Sequence, residues 1–443
     1  MMNIRMDQLI RAIAVALDIA EGHLLGASTH HGKRISVLCA AMGRTFGMNE
    51  KELSALTTCA LLHDSALTEY IQAEKKGEQV ALPLHCSYGQ RNAEGLLQDH
   101  NIEGFVQYHH EWADGTGPFG KKEGEFPLGA ELIAIADMLD VHHHLETLSS
   151  DYLPVLRNEI REAAGTQYTK RAAGAMLAVL DENMLESLGS GRVIDSAEKA
   201  IPSWYADVDD TVIFRLARMV MRIIDYKSAF TRSHTSQIAN RIWIMAEHYH
   251  YGAAESAELY LAAALHDIGK LAVPTEILEK PGKLDENEFR IIQDHVRQTG
   301  VILEGIEGFD HICRWASSHH EKLDGSGYHR GKTADEMDFN SRLLACIDIY
   351  QAVSEERPYH PGRNHEETIA ILYDMADRGF IDGKIVKDLD EVMFPFSNQE
   401  LPFPVQAEEA PFRQEFLPDG RPPVYETAGS EAKLRSRSAS VGM

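Results

Sequence analysis

Apolar residues recur at helical spacing along most of the chain, whereas the alternation of apolar and polar residues that marks β-strands is nowhere sustained. In the N-terminal part, for instance, Leu53, Leu56 and Ala60 follow a spacing close to the helical repeat, which places them on one helix face. We therefore predict an all-α protein, built from helical bundles whose functional side chains project inward from several helices.

Two of the apolar helical runs end on an adjacent histidine and aspartate. The run AAALHDIGKLAVP contains His266 and Asp267, followed by Lys270, and the run ALLHDSALTEY contains His63 and Asp64. Each residue of such a pair can give one ligand to a metal ion, although an isolated pair is more often capping or surface chemistry. The assignment therefore depends on the other histidines and carboxylates.

The histidines and carboxylates occur twice along the chain in the same order. A first group, 203 residues apart, pairs His31 with His234, His63 with His266 and Asp64 with Asp267. A second group, 210 or 211 residues apart, pairs His85 with His295, His109 and His110 with His319 and His320, and Asp137 with Asp348. Because the offset is nearly constant, with a short insertion in the second copy, we predict a tandem duplication.

The sequence predicts three segments, 1–200, 201–395 and 396–443. Amphipathic helix continues after Asp140 and completes the first bundle, and the glycine, serine and proline residues of SLGSGRVIDSAEKAIPSW indicate a boundary near the end of that bundle. After Met393 proline recurs without helical periodicity, so the last segment is predicted to be an extended or disordered tail.

Composition narrows the classes of partner. The 43 basic and 68 acidic residues give a formal net charge of -25, which repels polymeric nucleic acids but is compatible with a small nucleotide held by metal. The five cysteines show no CxxC spacing, so neither a disulfide framework nor a cysteine zinc site is predicted. Asp18 interrupts the apolar N-terminal stretch, and no secretory signal or membrane span is expected. A cytoplasmic protein without a membrane partner is predicted.

The second half supplies a set of imidazoles and carboxylates that suit divalent ions such as iron, manganese, cobalt, nickel or zinc. Of these, iron or manganese is favoured. The predicted ligands are His234, His266, Asp267, His295, His319, His320 and Asp348. They are too many for one tetrahedral site, so we predict two ions that share a carboxylate. Two ions about 4 Å apart can hold a bridging hydroxide that attacks a phosphodiester, and Lys270 can stabilise the charge that develops on the phosphate.

Any one of these histidines would more often be an ordinary core or surface residue, and the ordered set is what indicates a metal site. If His319 and His320 occupy consecutive helix positions, their side chains are about 100° apart. Both side chains could then reach one site only if that site lay between the two directions in which they point.

The strings HDIGK, HHEKLDGSGY and DIYQAVSEERPY resemble the HD-GYP family, the helical metal-dependent phosphodiesterases of bacterial cyclic dinucleotide signalling. The match covers roughly residues 225–393, and a weaker copy covers roughly 25–190. The resemblance implies hydrolysis of cyclic di-GMP to linear pGpG, GMP or both at a centre of two or three metals. It assigns catalysis to Asp267 and Lys270, and metal binding to the seven ligands named above.

The resemblance also assigns substrate-binding residues, and some of them depart from the family pattern. Gly327, Tyr328 and Arg357 fall on family substrate contacts, and Gln351 and His360 replace other family residues near the bases or phosphates. The mixed nucleotide 3'3'-cyclic GMP-AMP is therefore an alternative substrate. A non-catalytic HD-type scaffold and a phosphohydrolase of other nucleotides are further alternatives.

One further departure concerns the number of metals. Phe230 stands where three-metal relatives have a glutamate ligand, so two ions are favoured. His329 replaces the proline of the family signature.

The first half resembles a degenerate copy of the same domain. It keeps every ligand type, in the vestigial set His31, His63, Asp64, His85, His109, His110 and Asp137. Leu67 replaces the lysine and Pro118 the substrate tyrosine, so this half is predicted to be regulatory, dimerising or purely structural, with or without bound metal. The predicted partners are a cyclic dinucleotide substrate, a second copy of the chain in a homodimer, and a signalling partner through the first half.

Overall fold

The computed structural model describes residues 2–25, 29–66, 82–97, 100–189, 191–225, 234–280, 282–355, 362–396 and 401. Within these residues the protein is predominantly α-helical, with a single two-stranded sheet. The prediction of an all-α fold is confirmed. The described residues contain no helix that is both long enough and apolar enough to cross a membrane.

Among the described residues, the first half contains one strand and nine α-helices. In chain order they are β1 (Met2–Arg5), α1 (Met6–Leu25), α2 (His31–Thr45), α3 (Glu50–Leu62), α4 (Leu82–Leu96), α5 (Leu128–His143), α6 (Leu153–Ala163), α7 (Lys170–Val179), α8 (Glu182–Leu188) and α9 (Val193–Ala200). A short 3₁₀ helix, Ser150–Tyr152, precedes α6.

Among the described residues, the second half also contains one strand and nine α-helices. They are β2 (Tyr205–Val208), α10 (Asp210–Asp225), α11 (His234–His248), α12 (Ala253–Leu265), α13 (Thr275–Leu278), α14 (Glu286–Leu303), α15 (Asp310–Ala316), α16 (Phe339–Ser354), α17 (His365–Asp377) and α18 (Gly383–Met393). Three 3₁₀ helices span Ile268–Ala272, Ala334–Glu336 and Phe394–Phe396. We refer to Ile268–Ala272 as the Lys270 turn.

Capping residues begin two of the helices that position the predicted ligands. Asn49 accepts a hydrogen bond from the Glu52 amide at 3.0 Å, and the Glu52 side chain accepts one from the Asn49 amide at 2.8 Å. Asp285 and Glu288 form the same reciprocal pair at the start of α14. Such capping boxes satisfy amides that a helix start leaves unpaired. They fix where α3, which His63 follows, and α14, which carries His295, begin.

The two halves share structure at their N-terminal ends. β1 pairs antiparallel with β2, with Met2 opposite Val208 and Arg5 opposite Tyr205. Helix α1 packs on α2 and α3 but also on the Lys270 turn and α14, and α10 packs on α12 but also on α4. The first helix of each half therefore contacts both halves.

The predicted tail falls mostly outside the described residues. Leu401 is described and is buried. Its amide donates to Gln237 Oε1 at 3.0 Å, and its carbonyl accepts from Asn240 Nδ2 at 3.0 Å. Two side chains of α11 therefore hold both backbone polar groups of this residue.

Candidate metal centre

The predicted ligands of the second half come from separate elements that meet at one site. His234 begins α11, His266 and Asp267 follow α12, His295 lies on α14, and Asp348 lies on α16. His319 and His320 follow α15, which ends at Ala316, and lie in a turn. The interpretation of these two as consecutive helix positions is wrong, because the chain leaves the helix before reaching them.

Asp267 lies at the middle of this cluster. Its Oδ2 is 3.1 Å from His266 Nε2, and its Oδ1 is 3.3 Å from His295 Nε2 and 3.8 Å from His319 Nε2. Asp348 makes a second link, with Oδ1 3.6 Å from His234 Nε2 and Oδ2 3.4 Å from His320 Nδ1. Each carboxylate therefore faces imidazoles from two different elements.

Three overlapping groups in this cluster have ligand atoms within 4.8 Å of one another. The groups are His234 with His266 and Asp348, His266 with Asp267 and His319, and His295 with His319 and His320. His266 Nε2 and Asp267 Oδ1 are buried and have no hydrogen-bond partner. Buried polar atoms that lack a partner are costly, and imidazole nitrogen beside carboxylate oxygen is the donor set of a divalent transition metal. The residues present therefore fit a metal centre.

Backbone carbonyls fix the orientation of three imidazoles. The Nδ1 atoms of His266, His295 and His319 donate to carbonyls three residues earlier in the chain, at 2.6, 2.6 and 2.7 Å. A histidine that donates through Nδ1 presents its Nε2 lone pair to the site. His234 Nδ1 instead donates to Glu355 Oε2 at 2.8 Å. Glu355 is a supporting residue that sequence reasoning missed, because it lies 121 residues away in the chain.

Two residues of the cluster have pKa shifts that favour the protonation states of metal ligands, whereas His234 does not, because burial lowers its pKa but its contacts with Asp348 and Glu355 outweigh burial and raise the pKa to about 9. Burial opposes ionisation of Asp267, but the neighbouring His266 and Lys270 outweigh it and hold the pKa of Asp267 well below its usual range. Burial, with His295 and Lys270, lowers the pKa of His320 to about 4 although Asp348 opposes the shift. The cluster thus combines an ionised carboxylate with a neutral imidazole, the protonation states of metal ligands.

Lys270 reaches the centre because of the turn that carries it. Its Nζ donates to Asp267 Oδ2 at 2.5 Å. A Cβ atom at Gly269 would lie 2.0 Å from the His295 carbonyl oxygen, so only glycine permits this close approach. Thr299 accepts from the Gly269 amide at 3.1 Å and donates to the His266 carbonyl at 2.8 Å. The turn is therefore fastened directly to the helix that carries His295.

The predicted substrate contacts have different positions. The Tyr328 ring lies 4.9 Å from the His320 ring, and the Tyr328 amide donates to the His320 carbonyl at 3.2 Å. Gly327 has no room for a side chain, since a Cβ would lie 2.3 Å from the Lys322 amide nitrogen. Gln351 is buried, with its side-chain oxygen lacking a hydrogen-bond partner. Arg357, His360, Phe230 and Leu67 lie outside the described residues.

A carboxylate absent from the predicted site holds the loop that presents Tyr328. Glu321 accepts from the amides of Arg330 and Lys332 at 2.7 and 2.9 Å. In the first half Glu111 binds the amides of Phe119 and Lys121 in the same way. The position directly after each His-His pair therefore builds the loop, and the sequence string alone does not distinguish such a role from ligand binding.

The first half brings its seven predicted ligands together as well. Asp64 Oδ1 is 3.1 Å from His85 Nε2, and Asp64 Oδ2 is 3.4 Å from His63 Nε2. Asp137 Oδ1 is 3.3 Å from His31 Nε2, and Asp137 Oδ2 is 4.0 Å from His110 Nδ1. The remaining ligand, His109, approaches Asp64 at 3.8 Å. Two similar clusters thus occur in one chain.

The first histidine of the first-half cluster, His31, is oriented by different residues from those that orient His234 in the second half. His31 Nδ1 donates to Asp140 Oδ2 at 2.7 Å, and buried Arg34 binds the same carboxylate at 2.7 and 2.9 Å. The positions of Arg34 and Asp140 correspond to Gln237 and Gln351 in the second half. An ion pair in one half is therefore replaced by two amides in the other.

Comparison with known proteins identifies the class. Residues 218–385 match the family model described as HD domain. This match lies in the second half of the chain, where the resemblance was predicted, and the predicted similarity to HD-type proteins is confirmed at that level.

Individual relatives extend over more of the chain. The 3'3'-cGAMP-specific phosphodiesterase 1 of Vibrio cholerae is 26% identical over 396 residues, which cover 86% of this chain and 90% of that protein. The cyclic di-GMP phosphodiesterase response regulator RpfG of Xanthomonas campestris is 31% identical over 186 residues, or 42% of this chain and 48% of that protein. A crystal structure of a cyclic GMP-AMP specific phosphodiesterase of V. cholerae (V-cGAP3) matches with a TM-score of 0.60 and 23% identity, over 88% of this chain and 98% of that one. The chain shares its fold.

Proposed function

We propose that this protein is a metal-dependent phosphodiesterase that hydrolyses a cyclic dinucleotide at the second-half centre. The observation that carries the proposal is the position of Asp267, whose two oxygens face different imidazoles while Lys270 contacts the same carboxylate. A carboxylate shared by two ions can hold them at the separation that suits attack on a phosphodiester, and the named relatives are phosphodiesterases of cyclic dinucleotides.

The proposed metal ligands divide between two ions, for which iron or manganese is favoured. His234, His266 and Asp348 would hold one ion, His295, His319 and His320 the other, and Asp267 faces both groups. When bound, such ions polarise phosphoryl oxygens and lower the pKa of water. Substrate binding and the stabilisation of the remaining charge depend on the side chains around the ions.

Lys270 and Tyr328 are the residues proposed to act on the substrate directly. The Lys270 ammonium lies beside Asp267, where it can donate to a phosphoryl oxygen and balance the negative charge that grows there. The Tyr328 ring flanks His320 and offers an aromatic face to a guanine or adenine base. Water then adds across one phosphodiester bond, which gives the linear dinucleotide, and a second hydrolysis gives mononucleotides.

The proposed substrate is cyclic di-GMP, with 3'3'-cyclic GMP-AMP as a second candidate. The second candidate is favoured by the V. cholerae relative that matches 86% of this chain and is named for that nucleotide. The purified protein is incubated with Mn²⁺ and, in separate reactions, with each cyclic dinucleotide, with linear dinucleotides and with mononucleotides. Chromatography of the products then ranks these compounds as substrates. Hydrolysis of none of the cyclic dinucleotides would contradict the proposal.

Asp267→Ala is the decisive variant. We expect it to lower kcat about 100-fold or more, because the lost carboxylate faces the ligand groups of both proposed ions. The exposed Asp374→Ala serves as a control for the effect of removing a carboxylate. Asp64→Ala, at the counterpart position of the first half, is compared with both. A larger loss in Asp64→Ala than in Asp267→Ala would place the chemistry in the first half.

We further propose that residues 1–200 form a regulatory or structural domain and residues 201–395 the catalytic domain. Two differences between the halves support this assignment. The second half has Lys270 and Tyr328, whereas the first half has Leu67 and Pro118 at the corresponding positions. A homodimer and a signalling partner that acts through the first half belong to the same proposal. Size-exclusion chromatography with light scattering tests the homodimer.

A further inference from the structure

The first-half cluster contains a potential ligand that has no counterpart in the second-half cluster. Cys86 follows His85 on α4, and one ligand atom from each of Cys86, His85, His109 and His110 lies within 4.8 Å of the others. The corresponding residue of the second half is Val296, which is fully buried and cannot bind metal. None of the clusters found among the described second-half residues includes a cysteine.

A buried cysteine is more often a small apolar core residue, and Cys39 and Cys59 are buried in the same half. The surroundings of Cys86 are different, because three imidazoles and the Asp64 carboxylate converge there. His109 Nδ1 donates to the Val106 carbonyl at 2.5 Å, and its buried Nε2 has no hydrogen-bond partner. An imidazole that donates through Nδ1 leaves its Nε2 lone pair available to a metal ion.

The separation of these atoms suits a small ion. In a tetrahedral zinc site with bonds of about 2.0–2.3 Å, neighbouring ligand atoms lie roughly 3.3–3.8 Å apart. Four atoms within 4.8 Å of one another need only small side-chain movements to reach that geometry. The spacing of the cysteines along the chain could not predict this, since His85 and His109 belong to different elements.

We propose that the first half holds a zinc-like ion through Cys86, His85, His109 and His110. Binding breaks the Cys86 S–H bond, the proton passes to solvent, and the sulfur donates its electron pair to the ion, with no change in oxidation state. A thiolate favours zinc or cobalt over manganese, so the two halves of the chain select different metals. Four protein ligands leave no position for water or substrate, which is the property of a structural metal site.

The test uses the full chain with His266→Ala and His319→Ala, which remove a ligand from every second-half group. This protein is loaded with Co²⁺, and the near-ultraviolet thiolate-to-cobalt charge-transfer absorption is recorded. We expect one cobalt per chain and a band that corresponds to one thiolate. Cys86→Val, which introduces the residue of the second half, abolishes the band. Cys59→Ala, which introduces the residue at the matching position Ala262, leaves it unchanged.

A second measurement needs no change at Cys86. X-ray absorption of the zinc-loaded protein should show one sulfur at about 2.3 Å beside nitrogen ligands. Only nitrogen and oxygen neighbours, a cobalt band that survives Cys86→Val, or a first half that binds no metal would each overturn the proposal. These readouts are independent of hydrolysis, so they stand or fall separately from the proposed activity.

Discussion

At the scale of single residues, the sequence predicted which histidines and carboxylates lie together, but it did not predict the residues that support them. All seven predicted second-half ligands meet in one cluster, since residue type and order along the chain carry that information. Glu355, which orients His234, could not be assigned, because a glutamate at the end of a helix is usually solvated and only the tertiary fold brings it 2.8 Å from the imidazole.

The Glu355 contact leads to a prediction about metal affinity. Glu355→Gln removes the negative charge that favours an electron-rich His234 imidazole, so we expect the dissociation constant for Mn²⁺ to rise about 10-fold or more. Isothermal titration of the metal-free protein measures it. Glu391→Gln, at an exposed position on α18, is the control. Equal affinities in the parent and Glu355→Gln would mean that the contact does not tune the ligand.

The depressed pKa of His320 makes the stability of the metal-free protein depend on pH. This pKa is about 4 in the folded protein and about 6.5 in the unfolded chain. Between these values the unfolded state binds more protons, so stability falls as the pH drops through this window. In the presence of a chelator, His320→Gln should therefore gain Tm relative to the parent when the pH is lowered from 7 to 5. If the difference in Tm between His320→Gln and the parent were the same at pH 7 and pH 5, the low pKa of His320 would be contradicted.

At the scale of elements, periodicity predicted helices but not how the chain leaves them. The His319-His320 pair lies in a turn after α15, and the Lys270 turn is a 3₁₀ helix. Both departures depend on contacts between elements, such as the close approach of Gly269 to α14. The periodicity of apolar residues within one helix cannot predict such contacts.

Gly269→Ala tests the importance of the Lys270 turn. The added Cβ would collide with the His295 carbonyl, so the turn must move and carry Asp267 and Lys270 with it. We expect hydrolysis to fall sharply and the free energy of unfolding to drop by about 1–3 kcal/mol. Gly252→Ala, at the open N-cap of α12, is the matched control. Normal activity in Gly269→Ala would show that the turn tolerates displacement.

At the scale of the whole molecule, the all-α class was predicted, while the sheet between the halves was not. Strands β1 and β2 have four residues each, too few for a recognisable alternation. The strands lie about 200 residues apart in sequence, and their pairing is visible only once both halves are folded. The packing of α1 on the Lys270 turn is equally invisible to a local pattern.

This shared structure predicts that the two halves unfold together. Ile4→Asp places a charge at a fully buried position of β1 and should lower the free energy of unfolding by about 3 kcal/mol or more. Calorimetry should show one transition at a lower Tm, and the second-half centre should lose metal at that same temperature. Ile194→Asp, at an exposed position, should change neither. Two separate transitions, with only the first shifted, would contradict the coupling.

The packing of each first helix on both halves also bears on how such a chain evolves. If the first half performs no chemistry, its sequence would ordinarily be free to diverge. Here α1 packs on the Lys270 turn of the other half, so a mutation that unfolds the first half would also disturb the second-half centre. Selection on the fold of the first half would then act independently of any turnover there.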